Sequence, residues 1–251
     1  SFPTRRSSDL LGFEKRDWPL LAVLVSYTLL IMLSSYSVCR AMVMPASFLV
    51  VLFYAIYLVV RNGVISYQKA SGLAMFSGIV IFCFYSFIRL KEMLPVEEYG
   101  YDAIFFILLI LCFAWGGDTC AYFAGRAFGK HKLCPVVSPK KTVEGAIGGV
   151  LGTMVFGVLV TVIYSIAADR MEEFTRSNIG VSMYVIIALL ACVAAVLGIY
   201  GDLFASVIKR QCGIKDYGTI FPGHGGILDR FDSVMFIAPF VTMVVIAAFY
   251  N

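Results

Sequence analysis

Three short stretches of this 251-residue chain place acids, bases and a hydroxyl at spacings that could do chemistry. In GDLFASVIKR, Asp202, Ser206 and Lys209 stand at i, i+4 and i+7, so a helix carries them on one stripe. In LDRFD, Asp229 and Asp232 stand at i and i+3 and share a face as well. In GDTCAYFAG, Asp118, Tyr122 and Gly125 repeat the i, i+4, i+7 pattern. Three helix ends could therefore point acids into one cavity. Acids clustered beside lysines are how proteins hold Mg²⁺ against a polyphosphate, with oxygen ligands for the hard cation and ammonium groups for the remaining negative charge.

Taken singly, most of these residues have a plainer reading. An acid such as Asp118 at the end of an apolar run usually meets water or headgroups, and the lysines of SPKKT could simply attract anionic lipid. His131, in GKHK, reads as solvated. His224 differs, because the glycines around it leave the backbone free to approach a ligand. Asp229 with Asp232 is the least ordinary pair, since desolvated acids beside an apolar run cost energy unless something cationic compensates.

The elements that must position these groups are membrane helices. Hydrophobic residues make up 60% of the chain and charged residues 14%, where soluble domains carry roughly a quarter charged. Mean hydropathy is +0.88. A bilayer core asks for ~20 mostly apolar residues per helix, and seven runs qualify or nearly so. They lie at about Trp18 to Val38, Met44 to Val60, Ser71 to Ile88, Asp102 to Tyr122, Gly145 to Ala167, Met183 to Tyr200 and Phe231 to Tyr250. The second and fourth are short or interrupted, the fourth by Gly116-Gly117-Asp118. None alternates with period two, which excludes a barrel. The predicted fold is all-α, a polytopic transmembrane helical bundle of about seven spans with no separate soluble domain.

Residues 1–10, SFPTRRSSDL, read as the in-frame translation of a sequencing-library adapter and are set aside as a scar. The natural N-terminus, with any further spans, is expected upstream of the remainder. Residues 11–101 then form N-terminal transmembrane helices, and 102–251 the region that carries the chemistry. Thirteen Lys and Arg fall on one side of the predicted bundle and five on the other. That bias makes the richer side cytoplasmic, in a multi-pass protein of the cell (inner) membrane. Two long cytoplasmic loops, 123–144 and 201–230, hold nine of those thirteen and both histidines. Seven scattered cysteines, with no C-x-x-C pair, suggest neither a zinc site nor a disulfide framework.

The residues now carry a resemblance. Ser206-Val-Ile-Lys209-Arg210, then Lys215-Asp216, then Pro222-Gly-His224-Gly-Gly-Ile-Leu-Asp229-Arg230-Phe-Asp232 resembles the signature of phosphatidate cytidylyltransferases, the CDP-diacylglycerol synthases. GDTCAYFAGRAFGKHKLCPVVSPKKTVEG, Gly117 to Gly145, is similar to that family's other loop, with Cys120 where small residues are usual. The resemblance implies an enzyme of phospholipid biosynthesis, a nucleotidyltransferase converting CTP and phosphatidic acid to CDP-diacylglycerol and pyrophosphate with Mg²⁺ or Mn²⁺, and room for a second cation. It also implies membrane lipid partners and a homodimer, and no nucleic acid.

Carried onto this sequence, the resemblance makes Asp202, Lys209, Asp229 and Asp232 catalytic, with Asp202, Asp229, Asp232 and further Asp118 as metal ligands. Substrate phosphates and nucleotide are expected at Ser138, Lys140, Lys141, Thr142 and Glu144 of the first loop. From the second come Ser206, Arg210, Lys215, Asp216, His224 and Arg230. The positive end of the helix after SPKKT would help hold an anion. Two alternatives stand beside this reading: a cation-coupled secondary transporter, and a cytidylyltransferase for a different lipid phosphate.

Overall fold

The computed structural model describes residues 18–34, 37–60, 67–170, 180–211, 213, 216, 217, 226 and 228–249. It is a helical bundle: α1 Trp18–Met32, α2 Ser37–Val60, α3 Tyr67–Met93, the short α4 Val96–Tyr99, α5 Asp102–Leu111, α6 Gly117–Phe128, α7 Val143–Arg170, α8 Val181–Gln211 and α9 Val234–Phe249. A two-stranded antiparallel hairpin, β1 Lys132–Cys134 and β2 Ser138–Thr142, joins α6 to α7. Among the described residues five helical stretches are long and apolar enough to cross a membrane: 41–60, 74–93, 102–128, 143–170 and 181–211. The predicted first and last spans appear as shorter apolar helices, α1 and α9.

Several boundaries differ from the sequence reading. The second span, expected from Met44, starts at Ser37 and carries Pro45 inside the helix. Membrane helices tolerate such a proline because neighbouring groups satisfy the freed carbonyl. The expected interruption of the fourth span is a π-helical turn, Cys112–Gly116, that links α5 to α6 without breaking the rod. The two predicted loops are partly regular. Residues 201–211 continue α8, and SPKKT is the strand β2.

Helix length explains where the polar stripe sits. α8 has 31 residues. At ~1.5 Å per residue it is longer than the ~30 Å of hydrocarbon it must cross, so its last turns stand at the membrane surface. Asp202 and Lys209 lie on those turns.

Small residues bring the helices close enough to share a site. Gly145, Gly148, Gly149 and Gly152 form the α7 face against α6, and a Cβ on Gly148 would collide with that of Ala124. Such small-residue faces are how membrane helices approach without a solvent-driven core. At the other edge of the site, Gly201 of α8 lies against the turn before α9. A Cβ there would come 2.7 Å from the Asp232 carbonyl oxygen. Below this level the core is apolar, with Phe105, Phe113, Ile187, Ile237 and Val241 all fully buried.

Gly201→Ala therefore forces α9 outward, and overpacking of this kind costs about 1–3 kcal/mol. The expected result is a lower melting temperature in detergent for Gly201→Ala, and none for Gly78→Ala, where a Cβ meets nothing within 4 Å. Equal melting of the two variants would contradict the close seating of α9.

Candidate active site

Four elements meet at one end of the bundle around a cleft of about 550 Å³, within the size range of small-molecule sites. α6 supplies Asp118, Tyr122, Gly125 and Arg126; β2 and the start of α7 supply Lys140, Lys141, Thr142 and Gly145; α8 supplies Asp202 and Lys209. Asp216 and the segment before α9, with Asp229, Arg230 and Asp232, complete the wall. The i, i+4, i+7 set of α6 thus reaches the cleft whole. Asp202 and Lys209 reach it from α8, while Ser206 between them is buried and donates to Asp202 Oδ1 at 3.4 Å.

Lys209 organises the α9 side. Its ammonium lies 2.9 Å from Asp229 Oδ1 and 3.8 Å from Asp232 Oδ2, and all three side chains are about nine-tenths buried. It also sits 5.2 Å over the Tyr217 ring, a cation–π distance. The other Asp229 oxygen accepts the backbone N–H groups of Tyr217 at 2.8 Å and Gly226 at 2.9 Å. Asp229 is consequently tied at both oxygens, and it fixes the backbone at Tyr217 and at Gly226. Asp232 lies in the turn before α9. Burial above all, then the charge of Asp202, pushes its carboxyl up to about 7, against the pull of Lys209.

The hairpin side has its own pairing. Lys141 Nζ lies 2.5 Å from Asp202 Oδ2. Thr142 caps α7, its hydroxyl accepting the Gly145 N–H at 3.1 Å. Glu144, expected to close the phosphate loop, does not line the cleft. It accepts the backbone N–H groups of Lys130 and His131 and meets His131 Nδ1 at 2.6 Å, which locks the hairpin onto α7. His131 therefore has a structural partner that its sequence context did not show. Ser138 and Arg210 also stand off the cleft, Ser138 paired with Cys134 in the hairpin and Arg210 donating to the Val137 carbonyl at 3.5 Å. Lys215 and His224 lie outside the described residues.

Three contributors were not read from the sequence. Trp115, on the π-helical turn, donates its indole N–H to the Arg230 carbonyl at 3.0 Å and meets Phe231 edge-on, bracing the segment that carries Asp229 and Asp232. Tyr217 donates to the Ala205 carbonyl at 3.1 Å and stacks on Phe76. Ser233 donates to Asp118 Oδ2 at 3.0 Å, joining α6 to α9. An aromatic next to a glycine-broken helix was the signal for Trp115; the other two have none.

In kind the donors suit a hard cation: Asp118, Asp202, Asp229 and Asp232 all line the same cleft and offer only oxygen. As they stand, no three acids among the described residues close around one point. Lysines hold Asp202 and Asp229 instead. Among the described residues five acids and five bases line the cleft, so their formal charges balance, and a triphosphate entering it would bring negative charge that an added cation could offset.

Comparison with known proteins places the chain. The family model described as the cytidylyltransferase family matches residues 8–248. A phosphatidate cytidylyltransferase of Bacillus subtilis is 32% identical over 198 residues, covering 79% of this chain and 66% of the relative. Proteins of the same name from Staphylococcus haemolyticus and Staphylococcus epidermidis are 39% and 42% identical over 145 residues, 58% of this chain and 50% of each relative. The chain thus spans from half to about two thirds of the length of these curated relatives. With a match running nearly end to end and the signature acids gathered in one cleft, the chain belongs to the cytidylyltransferase family.

Proposed function

We propose that this chain carries out cytidylyl transfer from CTP to phosphatidic acid. A phosphate oxygen of the lipid attacks the α-phosphorus of CTP, the bond to the β-bridging oxygen breaks, and pyrophosphate leaves with that electron pair. The lipid phosphate is already a competent nucleophile, so the protein needs no covalent intermediate. Its task is to align two anions in line with the leaving group and to stabilise the charge that spreads between them.

The observation that supports this most is the balanced cleft of paired acids and lysines at the surface end of α8, where a headgroup and a soluble nucleotide can meet. Asp118, Asp202 and Asp232 are the residues that would hold a divalent cation, which when bound would neutralise phosphate charge and polarise the reacting phosphorus. Asp229, with both oxygens engaged, joins that set only by exchanging a partner, and otherwise acts by holding Lys209 and the backbone at Tyr217 and Gly226. Lys140, Lys141, Arg126 and Arg230 line the cleft where they can meet phosphates. The charge bias of the sequence supports a cytoplasmic position for this end of the bundle, on the side where CTP is found. A transporter would keep its polar groups near mid-span, whereas Lys209, Asp229 and Asp232 stand at or just beyond helix ends.

The test is to give membranes containing the chain labelled CTP and phosphatidic acid, with Mg²⁺ or with chelator, beside membranes bearing the Bacillus subtilis relative as a positive control. A labelled lipid that requires both phosphatidic acid and Mg²⁺ is expected. Label appearing equally with chelator would contradict the cation's part, and label only with a different lipid phosphate would reassign the acceptor.

A further inference from the structure

Among the described residues, the two lysines on the less exposed wall of the cleft are both paired with an acid. Lys141 meets Asp202 at 2.5 Å, and Lys209 meets Asp229 at 2.9 Å. The two pairs differ in how firmly they are held. Lys209 and Asp229 are buried, and Asp229 also anchors two backbone N–H groups. Lys141 and Asp202 are about a quarter exposed, and Lys141 rides on a strand of a two-stranded hairpin. Among the described residues the other Asp202 oxygen has only the long 3.4 Å contact from Ser206. Of the two lysine-held carboxylates Asp202 is thus the more readily released, and Lys141 the more readily withdrawn ammonium.

We propose that Lys141 is the resident counter-ion of Asp202 and keeps the cation position closed until a nucleotide phosphate draws the lysine away. The inference rests on the cation-assisted reading above. Cation and ammonium compete for one carboxylate, while phosphate and carboxylate compete for one ammonium. Binding of the two ligands is then linked through a single exchange of partners, and the linkage is reciprocal: nucleotide opens the site to cation as much as cation opens it to nucleotide. The pairing also spares the chain an uncompensated acid at Asp202, near the membrane surface.

The consequence has an unusual sign. A lysine that serves only to hold phosphate leaves cation binding to the nucleotide-free protein unchanged when removed. A lysine that occupies the cation's ligand makes it tighter. Lys140 supplies the control, since it is the neighbouring residue on β2, lines the same cleft, is exposed, and is in ion-pair range of no acid among the described residues. Removing its charge changes the local field by the same unit, but through solvent that screens it.

The experiment titrates Mn²⁺ into the purified full chain in detergent, without nucleotide, and counts free Mn²⁺ by electron paramagnetic resonance. Lys141→Gln is expected to bind about tenfold more tightly than the unaltered chain, roughly 1.4 kcal/mol. Lys140→Gln should stay within about twofold, as a screened charge does. Adding Asp202→Asn to Lys141→Gln should abolish the gain. Lys141→Met serves as a second variant, and circular dichroism checks that each retains its helix content. Unchanged or weaker Mn²⁺ binding in both Lys141 variants overturns the proposal, as does an equal gain in Lys140→Gln. If the unaltered chain makes labelled lipid from CTP with Mn²⁺ while the Lys141 variants show no gain, the counter-ion idea alone fails. If it makes no labelled lipid with any phosphate acceptor, the cytidylyl-transfer reading fails.

Discussion

Asp232→Asn is expected to leave a folded, membrane-inserted protein that transfers cytidylyl groups at least about a thousandfold more slowly, a loss of some 4 kcal/mol of transition-state stabilisation. The substitution keeps the size of the side chain and the acceptor that meets the Ser233 N–H at 2.9 Å. It removes the negative charge that faces Asp202 and Lys209 across the cleft. The same change should not weaken the fold. Burial holds the Asp232 carboxyl at about 7, above the ordinary 3.8. The native state therefore keeps a proton that the unfolded chain has lost, and stability falls as pH rises from about 4 through 7. Asparagine has no such liability. Melting curves in detergent at pH 8 should place Asp232→Asn at or above the unaltered protein while turnover is lost. Normal turnover would make the acid a bystander at a helix end, and a large fall in melting temperature would make it a structural residue.

The second large effect is expected at Lys209, and in the opposite quantity. Lys209→Met leaves Asp229 and Asp232, both about nine-tenths buried, without their shared cation. Breaking a buried pair by removing one partner costs about 3–5 kcal/mol, because the surviving charge has neither water nor counter-ion. For a chain of this length that corresponds to a melting shift on the order of 10 °C. Adding Asp229→Asn should recover part of the loss by removing one of the stranded charges. A double variant no more stable than Lys209→Met would show that Lys209 acts through packing on Tyr217 rather than through the acids.

How far the sequence carried this picture depends on the range of the interaction. The apolar runs were legible because a span is a local property of length and composition, and all seven correspond to helices. The stripe of Asp202 and Lys209, and the shared face of Asp229 and Asp232, were legible because helical periodicity is local too. Their pairing was not. Lys209 reaches Asp229 across 20 positions, and Lys141, on β2, reaches Asp202 across all of α7 and most of α8, so which lysine neutralises which acid is decided by tertiary packing. That packing depends on glycines such as Gly148 and Gly201, whose sequence signal is merely that they are small.

The hairpin shows the same limit from another side. SPKKT has a proline, two lysines and no apolar alternation, so it reads as a turn, yet it is held as a strand by β1 and by Glu144, which grips the backbone of Lys130 and His131. The family resemblance places the Glu144 carboxylate with the nucleotide, at the close of the SPKKT loop. In the folded chain it serves the backbone that presents those lysines. Trp115 acts in a comparable way on the opposite wall, where its indole N–H fixes the Arg230 carbonyl and hence the spacing of the two acids around it.

The central claim is that one phosphorus moves from nucleotide to lipid in a single displacement within this cleft. It is tested most directly with the purified chain, phosphatidic acid, Mg²⁺ and CTP labelled at either the α- or the γ-phosphorus. Label from the α position should appear in the lipid and label from the γ position in pyrophosphate, in equal amounts, with both lost in Asp232→Asn. Transfer of γ label to the lipid, or release of pyrophosphate without α-labelled lipid, would contradict cytidylyl transfer.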